Sequence, residues 1–295
     1  MVVITMHKNK YLLGLALLFI NFFTLANADV NSESVVIEKP KSKMEIGAGA
    51  FALNLPHYLG SDQSDAYVVP FPYFYYLDDK YKVDRNQFTG KIWQDNHFYL
   101  DISASGGVKV NSDDNTARRG MDDLDWVFEL GPSIKYYLQG DPQASDYFYL
   151  EFFTRKAAAT DFKSITNVGW RYGPSVSYQK HFSDHALPKF LAGHGAEFEL
   201  TVRANINFSD DRYLNYYYGV PERFISQSRA AFNSDGGYAG SDISAGLTYK
   251  VNQWWIGGFA RYYNLSGAEY IDSPLLKQDN NWALGFGVAW IFYQR

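Results

Sequence analysis

The chain has no cysteine. No disulfide framework, thiolate metal centre or thiol nucleophile can be built from it. Positive charge is also in short supply: 27 Lys and Arg stand against 32 Asp and Glu, a net charge of -5. A nucleic-acid binder needs a basic face, so that class is excluded. Beyond the N-terminus no apolar run approaches the ~20 residues that a spanning helix requires. With a mean hydropathy of -0.30, a bundle of transmembrane helices is excluded too. Nor does any stretch outside the N-terminal segment sustain a 3.6-residue apolar stripe, so low helix content is expected. What is plentiful is aromatic: 24 Tyr, 22 Phe and 7 Trp among 295 residues, a load unusual in helix-rich soluble domains.

His7, Lys8 and Lys10 precede an apolar stretch at 11–25, and Ala26-Asn27-Ala28 follows as a small-x-small site. This pattern is that of a signal peptide spanning 1–28, cut after Ala28. A retained membrane anchor is the competing reading, and the stretch is short for it. Residues 29–43 are polar without periodicity and read as a flexible periplasmic lead-in. The body is 44–295.

The body alternates. From Ala196 to Phe208 one face reads Ala, Phe, Leu, Val, Ala, Ile, Phe; the other carries Glu197, Glu199, Thr201, Arg203, Asn205 and Asn207. This is the period of two that a strand requires. Similar alternation runs through 98–105, 123–130, 242–251 and 282–292. Further candidates at 44–54, 65–77, 81–93, 146–157, 167–181 and 254–265, with a weak one at 211–218, bring the expected count to twelve, with ten or fourteen as alternatives.

Strand length discriminates between architectures. Strands of soluble sandwiches average ~5–6 residues, whereas a tilted strand crossing a bilayer needs ~9–11. Aromatics gather at strand ends, for example Tyr73 to Tyr76, Trp254-Trp255 and Tyr262-Tyr263, as interfacial girdles place them. Charged residues on the second face, Lys135, Arg171, Glu197, Glu199, Arg203 and Asp242, are expected to face a lumen, because lipid penalises them. The expected fold is therefore all-β: a closed antiparallel transmembrane barrel, which leaves no unpaired sheet edge in lipid. A secreted sandwich or small soluble barrel explains the alternation but not the strand length.

Tight links are usually periplasmic. Asn252-Gln253 is one, and counting back assigns 209–210 and 78–80 to the same side. Segments 55–64, 182–194, 219–237 and 266–281 then fall outside. The count breaks the length rule once: the short link 94–96 lands outside and the long 109–122 lands in the periplasm. A mixed-charge periplasmic contact site is expected there, at Arg118, Arg119, Asp122 and Asp123, since charges of both signs govern partner choice.

Arg119-Gly120-Met121-Asp122-Asp123-Leu124-Asp125 is followed by Glu129-Leu130-Gly131-Pro132. Gly47-Ala48-Gly49, then Tyr58-Leu59-Gly60-Ser61-Asp62 and Pro70-Phe71-Pro72, precede it. Tyr217-Tyr218-Gly219-Val220, Gly267-Ala268, Asp272-Ser273-Pro274-Leu275-Leu276 and the ending Gly287-Val288-Ala289-Trp290-Ile291-Phe292 come later. In this order the segments resemble the MltA-interacting protein/OmpV family of Gram-negative outer-membrane proteins, across 44–295. The last two residues, Gln294-Arg295, depart from the usual aromatic ending. The resemblance implies a non-enzymatic outer-membrane protein in contact with lipid. It further implies an envelope scaffold linking a lytic transglycosylase and a peptidoglycan synthase; a small-solute channel or a surface adhesin is the alternative.

Other chemistry is thinner. His181, His185 and His194 lie on a strand end and loop, where i,i+4 spacing does not align metal ligands. His57 near Ser61 and Asp62, and His97 near Asp95, lack a nucleophile setting. Asp113, Asp114, Asp122, Asp123 and Asp125 do not follow the spacing of a calcium loop. No catalytic residue, cofactor or metal is expected.

Overall fold

The computed structural model describes residues 43–295 except 78–80, 84–87, 91–93, 96, 143 and 184–195. The expected signal peptide and, apart from Lys43, the lead-in lie outside the described residues.

Ten strands have ten residues or more: β1 (Lys43–Pro56), β2 (Ser64–Leu77), β6 (Phe98–Gly107), β7 (Trp126–Gln139), β8 (Tyr147–Thr160), β9 (Ile165–Ser183), β10 (Glu197–Ser209), β11 (Gly237–Val251), β12 (Trp254–Asn264) and β13 (Asn280–Gln294). Three short pieces, β3 (Tyr81–Val83), β4 (Phe88–Gly90) and β5 (Gln94–Asp95), lie between β2 and β6. All pair antiparallel in one curled sheet, in the order β4-β3-β2-β1-β13-β12-β11-β10-β9-β8-β7-β6-β5. The first and last long strands are neighbours, Ala48 opposite Trp290, and among the described residues the two edges of the sheet are the short pieces β4 and β5.

The pleat sorts the side chains. One face of the sheet exposes Ile134, Phe152, Ile243, Leu247, Leu284 and Phe286, each about half exposed at 48–54% or a little more. A monomeric soluble protein rarely leaves a continuous apolar face of this kind uncovered; a lipid-facing wall requires it. Two aromatic belts flank this band. Tyr172–Phe208–Tyr238 and Tyr262–Trp282 mark one end, and Phe98–Tyr136, Phe182–Phe198 and Trp290–Phe292 the other. The opposite, concave face carries the charged groups, small residues and inward aromatics such as Tyr137, Tyr149 and Trp255.

Two expectations are corrected. Residues 211–218 form a helix, α1 (Asp211–Tyr218), not a strand. Asp210 caps it by accepting from the Tyr213 N–H at 2.9 Å, and Leu214 and Tyr218, spaced i,i+4, bury one face. The candidate strand at 81–93 is seen only as β3 and β4, which pair as a hairpin. Ten long strands, the lower alternative, replace twelve. Each miscounted element reverses the side assigned to every connection before it, so only connections between the two errors are affected. Taking the 252–253 turn as periplasmic, loops 57–63, 108–125, 161–164, 210–236 and 265–279 all sit at the outer end, while the turn between β7 and β8 and the paired ends of β9 and β10, Ser183 and Glu197, sit at the periplasmic end. The expected sides of 109–122 and 209–210, and of 94–95 in the short link, are therefore reversed, and the expected loop 182–194 lies, from 184 on, outside the described residues.

Candidate functional site

The concave face carries charge in rows that run across the strands. In the first row Lys135 donates to Asp101 at 2.5 Å. Arg203 then reaches Glu151 at 3.1 Å, the Tyr149 hydroxyl at 2.6 Å and Ser177 at 2.8 Å. A second row lies closer to the outer end. Glu129 sits between Arg155 and Arg171, at 3.6 and 3.7 Å. Arg171 donates to Asn207 at 2.9 Å, Asn207 donates to Asp242 at 3.0 Å, and Arg261 closes on Asp242 at 3.3 Å. A third group at the periplasmic end joins Glu45 to Lys250, to Lys43 at 3.4 Å and to the Tyr73 hydroxyl at 3.0 Å. Alternation delivers these groups to one face. Pairing with neighbours offsets the desolvation that burial of a lone charge would impose.

The outer end is covered by packed loops. Tyr58, Val110, Leu124, Leu214, Tyr218, Val220, Leu265, Tyr270 and Leu275 form one buried cluster drawn from four connections. Tyr218 stacks on Tyr270 with ring centroids 3.6 Å apart and 3° between planes. Their polar ends are tied: Tyr58 donates to the Leu275 carbonyl at 2.7 Å, Tyr218 to the Leu59 carbonyl at 2.9 Å, and Tyr270 to the Ala239 carbonyl at 3.1 Å. Burial pushes the Tyr58 and Tyr270 hydroxyls up to about 12 and the Tyr218 hydroxyl well above its ordinary value.

α1 connects the cover to the lumen. Its Tyr213 hydroxyl donates to Glu129 at 2.7 Å, in the second charged row. Its start is fixed by Asp210, which also accepts from the Trp170 N–H at 3.0 Å. Gly169, at φ +113°, makes room: a Cβ there would stand 2.1 Å from the Asp210 carboxylate.

The residues expected from sequence separate into two groups. Lys135, Arg171, Arg203 and Asp242 lie in the rows described. Glu197 lies on the same face, 3.8 Å from Lys43 and half exposed, and Glu199 follows it, partly buried. Arg118, Arg119, Asp122 and Asp123 were expected in the periplasm, at the same end as the 252–253 turn, and the strand order puts them at the opposite end of the sheet. Arg118 is 3% exposed and is a structural strut: it donates to the Tyr217 carbonyl at 2.8 Å and to the Asp122 carbonyl at 3.2 Å. Burial pulls its guanidinium below its ordinary value. Asp123 accepts from the Ser112 N–H at 2.9 Å, and Asp122 pairs with Arg223 at 2.6 Å in solvent. Arg119 is exposed beside them, and its carbonyl accepts from Arg229 at 3.2 Å.

His57 is buried; its Nδ1 faces Asn115 Nδ2 at 3.1 Å and its Nε2 lies 3.3 Å from Asp65. His181 sits at the far end of β9, its N–H donating to Asp146 at 2.8 Å; His185 and His194 lie outside the described residues. Among the described residues no three His, Cys, Asp or Glu side chains gather as a metal site. The contribution of α1 was missed because Tyr-rich 211–218 suits a strand; Asp210 followed by the i,i+4 pairs Tyr213–Tyr217 and Leu214–Tyr218 was the available signal.

The sequence profile described as MltA-interacting protein MipA matches residues 46–292. The chain belongs to this family. It is an outer-membrane protein of the Gram-negative type, as its relatives are. Outer membrane protein Omp26La of Vibrio anguillarum and outer membrane protein OmpV of Vibrio cholerae are each 25% identical over 186 residues, covering 63% of this chain and 62% of theirs. The match thus spans less than two thirds of either relative's length. A Pseudomonas aeruginosa FadL homologue aligns over 85% of this chain and 90% of its own with 7% identity and a TM-score of 0.26, too low to support any inference. This MipA-family chain therefore takes its location from its family and its site from its own geometry.

Proposed function

We propose that this MipA-family protein is a non-enzymatic envelope scaffold whose outer mouth is kept shut by its own loops. The observation that carries this reading is the hydrophobic loop cluster over the outer end, latched inward by Tyr213 on Glu129. A solute channel has no need of an aromatic cover that buries Tyr218 and Leu275. In this reading Lys135, Arg171, Glu197, Glu199, Arg203 and Asp242 line the lumen, and their mutual pairing gives the wall rigidity.

The family's description as MltA-interacting supports a lytic transglycosylase as partner, with a peptidoglycan synthase as the second. Such partners must meet the periplasmic rim, made by the turns at 140–146 and 252–253 and by the Lys43–Glu45–Lys250–Glu197 cluster. With the 252–253 turn in the periplasm, loop 109–122 belongs to the opposite rim, and this reading assigns it no part in the contact.

Two measurements test the reading together. In planar bilayers the wild-type protein stays closed, and replacing 211–233 with a Gly-Ser linker gives steady conductance. In crosslinked envelopes both forms capture the transglycosylase. Steady conductance from the wild-type protein would establish the channel instead, and failure of the wild type to capture a cell-wall enzyme would remove the scaffold.

A further inference from the structure

Alternation turns almost no charge outward. Among the described residues of the ten long strands, two charged side chains share the face of Phe152 and Tyr178: Lys156 on β8 and Lys180 on β9. Lys180 lies at the periplasmic end and pairs with Asp146. Lys156 is exposed near the outer end, and among the described residues no carboxylate comes within ion-pair distance of it. Its ammonium stands instead over the Trp170 ring, 5.8 Å from the centroid. An unpaired cation on a lipid-facing wall is costly unless it reaches headgroups or an anion.

The register fixes its level. Thr154 is opposite Tyr172, which belongs to the outer aromatic belt, and Lys156 is opposite Trp170 in the next outward pair. Aromatic belts sit at the level of the headgroups, so Lys156 stands at the outer margin of the hydrocarbon, where lipid phosphates are. Directly opposed residues share a face. Beyond Lys156 that face carries Ala158 opposite Asn167 and Thr160 opposite Ile165. Ala158 contributes only a methyl group, which leaves the outer side of the ammonium open.

The turn at 161–164 closes this hairpin and carries a second cation. The Asp161 carboxylate accepts from the Lys163 N–H at 2.9 Å, the Ser164 N–H at 2.8 Å and the Ser164 hydroxyl at 3.1 Å. Asp161 is thereby spent on the turn, and the Lys163 side chain is exposed. Phe162, at φ +69°, is 63% exposed and Ile165 79%. From Lys156 to Thr160, where the turn begins, is four residues of strand, ~13 Å. Two unpaired cations and two exposed apolar side chains thus share one hairpin tip. Water alone suits the cations but not Phe162 and Ile165; hydrocarbon alone suits the reverse. An anionic headgroup above its own acyl chains suits both.

We propose that the outer half of the β8–β9 hairpin is a seat for a phosphate-bearing lipid of the outer leaflet. Lys156 pairs with a phosphate at the margin of the hydrocarbon, and Lys163 takes a further phosphate at the rim. Trp170, 43% exposed, holds the Lys156 ammonium from one side and offers its ring to the lipid. Charge-assisted contact to phosphate supplies the selectivity, and the apolar side chains bind the upper part of the chains without discrimination. Such a seat is independent of any partner at the periplasmic rim.

Native mass spectrometry of the full protein in a neutral detergent, titrated with bisphosphorylated lipid A, tests the seat. Retention of one lipid is expected. Lys156→Met is expected to weaken it about tenfold, and Lys163→Gln severalfold. Lys156→Arg keeps the charge and is expected to keep the lipid; Lys180→Gln, at the other end, is expected to change nothing. Lipid A stripped of its phosphates is expected to bind the wild type as weakly as the intact lipid binds Lys156→Met. Equal retention by wild type and Lys156→Met, or equal binding of intact and stripped lipid, would reduce Lys156 to a lysine that merely reaches for water and overturn the seat. An equal loss from Lys180→Gln would show unspecific attraction and overturn it too. Displacement by excess inorganic phosphate would mark a site for the free anion and overturn the lipid as its occupant. Heat-modifiable gel migration checks folding of each variant. If Lys156→Met does not fold, the comparison of intact with stripped lipid on the wild type and on Lys163→Gln decides.

Discussion

The spanning sheet and the cover at its outer end place the same residue types in opposite positions. In the sheet, Leu247 and Phe286 stand outward, 49% and 56% exposed, while Asp101 and Lys135 are buried. In the cover, Leu214 and Leu275 are buried at 1% or less and the Arg223–Asp122 pair is in solvent. One rule generates both patterns: apolar atoms go to the least polar surroundings on offer. In the cover those surroundings are its own interior; in the sheet they are lipid. The second consequence concerns charge. The sheet's Lys135–Asp101 and Arg155–Glu129 pairs are withdrawn from water, while the cover's Arg223–Asp122 pair is screened.

The largest effect expected from breaking this contrast is in the lumen. Lys135→Ala removes the ammonium that pairs with the buried Asp101 carboxylate, a loss of ~3–5 kcal/mol. Urea titration in detergent micelles, followed by gel migration of the folded form, would read it; a loss near zero would show that water already reaches the row. Next is Leu247→Arg on the lipid face, at ~2–4 kcal/mol near the midplane. The same assay in bilayers measures it, and the penalty should shrink in short-chain lipid.

A milder perturbation separates the two regions by pH. Burial holds Tyr58 and Tyr270 neutral up to about 12, whereas an exposed tyrosine ionises near 10. The unfolded cover therefore sheds these protons first. Stability of the cover is full below about pH 10 and falls as pH rises toward 12. Protease nicking within 219–233 should appear over that window while the sheet remains heat-modifiable; simultaneous loss of both would mean that cover and sheet are one cooperative unit. The smallest effect belongs to Arg223→Ala. Its partner Asp122 is solvated, and the expected change is under ~1 kcal/mol and abolished by salt.

Strands were legible because the bilayer enforces their pattern. From Ala196 to Phe208 every second residue is apolar, and β10 (Glu197–Ser209) occupies that stretch with Arg203 inward. Arg171 and Asp242 were placed on the polar face by the same alternation, and the structure brings them together through Asn207. Sidedness was not legible, because it depends on the parity of the count. Reading Tyr-rich 211–218 as a strand was enough to put Arg118 and Asp122 at the same end as the 252–253 turn, whereas the sheet carries them at the opposite end.

Sequence by itself determined the strand-rich character and the faces of the strands, since alternation and strand length are local properties imposed by lipid on one side and polar groups on the other; the family was legible separately, in the order of short motifs such as Tyr58–Asp62 and Arg119–Asp125. Only the tertiary structure decided that Tyr58, Tyr218 and Leu275 meet over the mouth and that Tyr213 reaches Glu129. Those facts depend on register and on contacts more than 80 residues apart along the chain, and no local pattern encodes which distant loop a buried tyrosine will find.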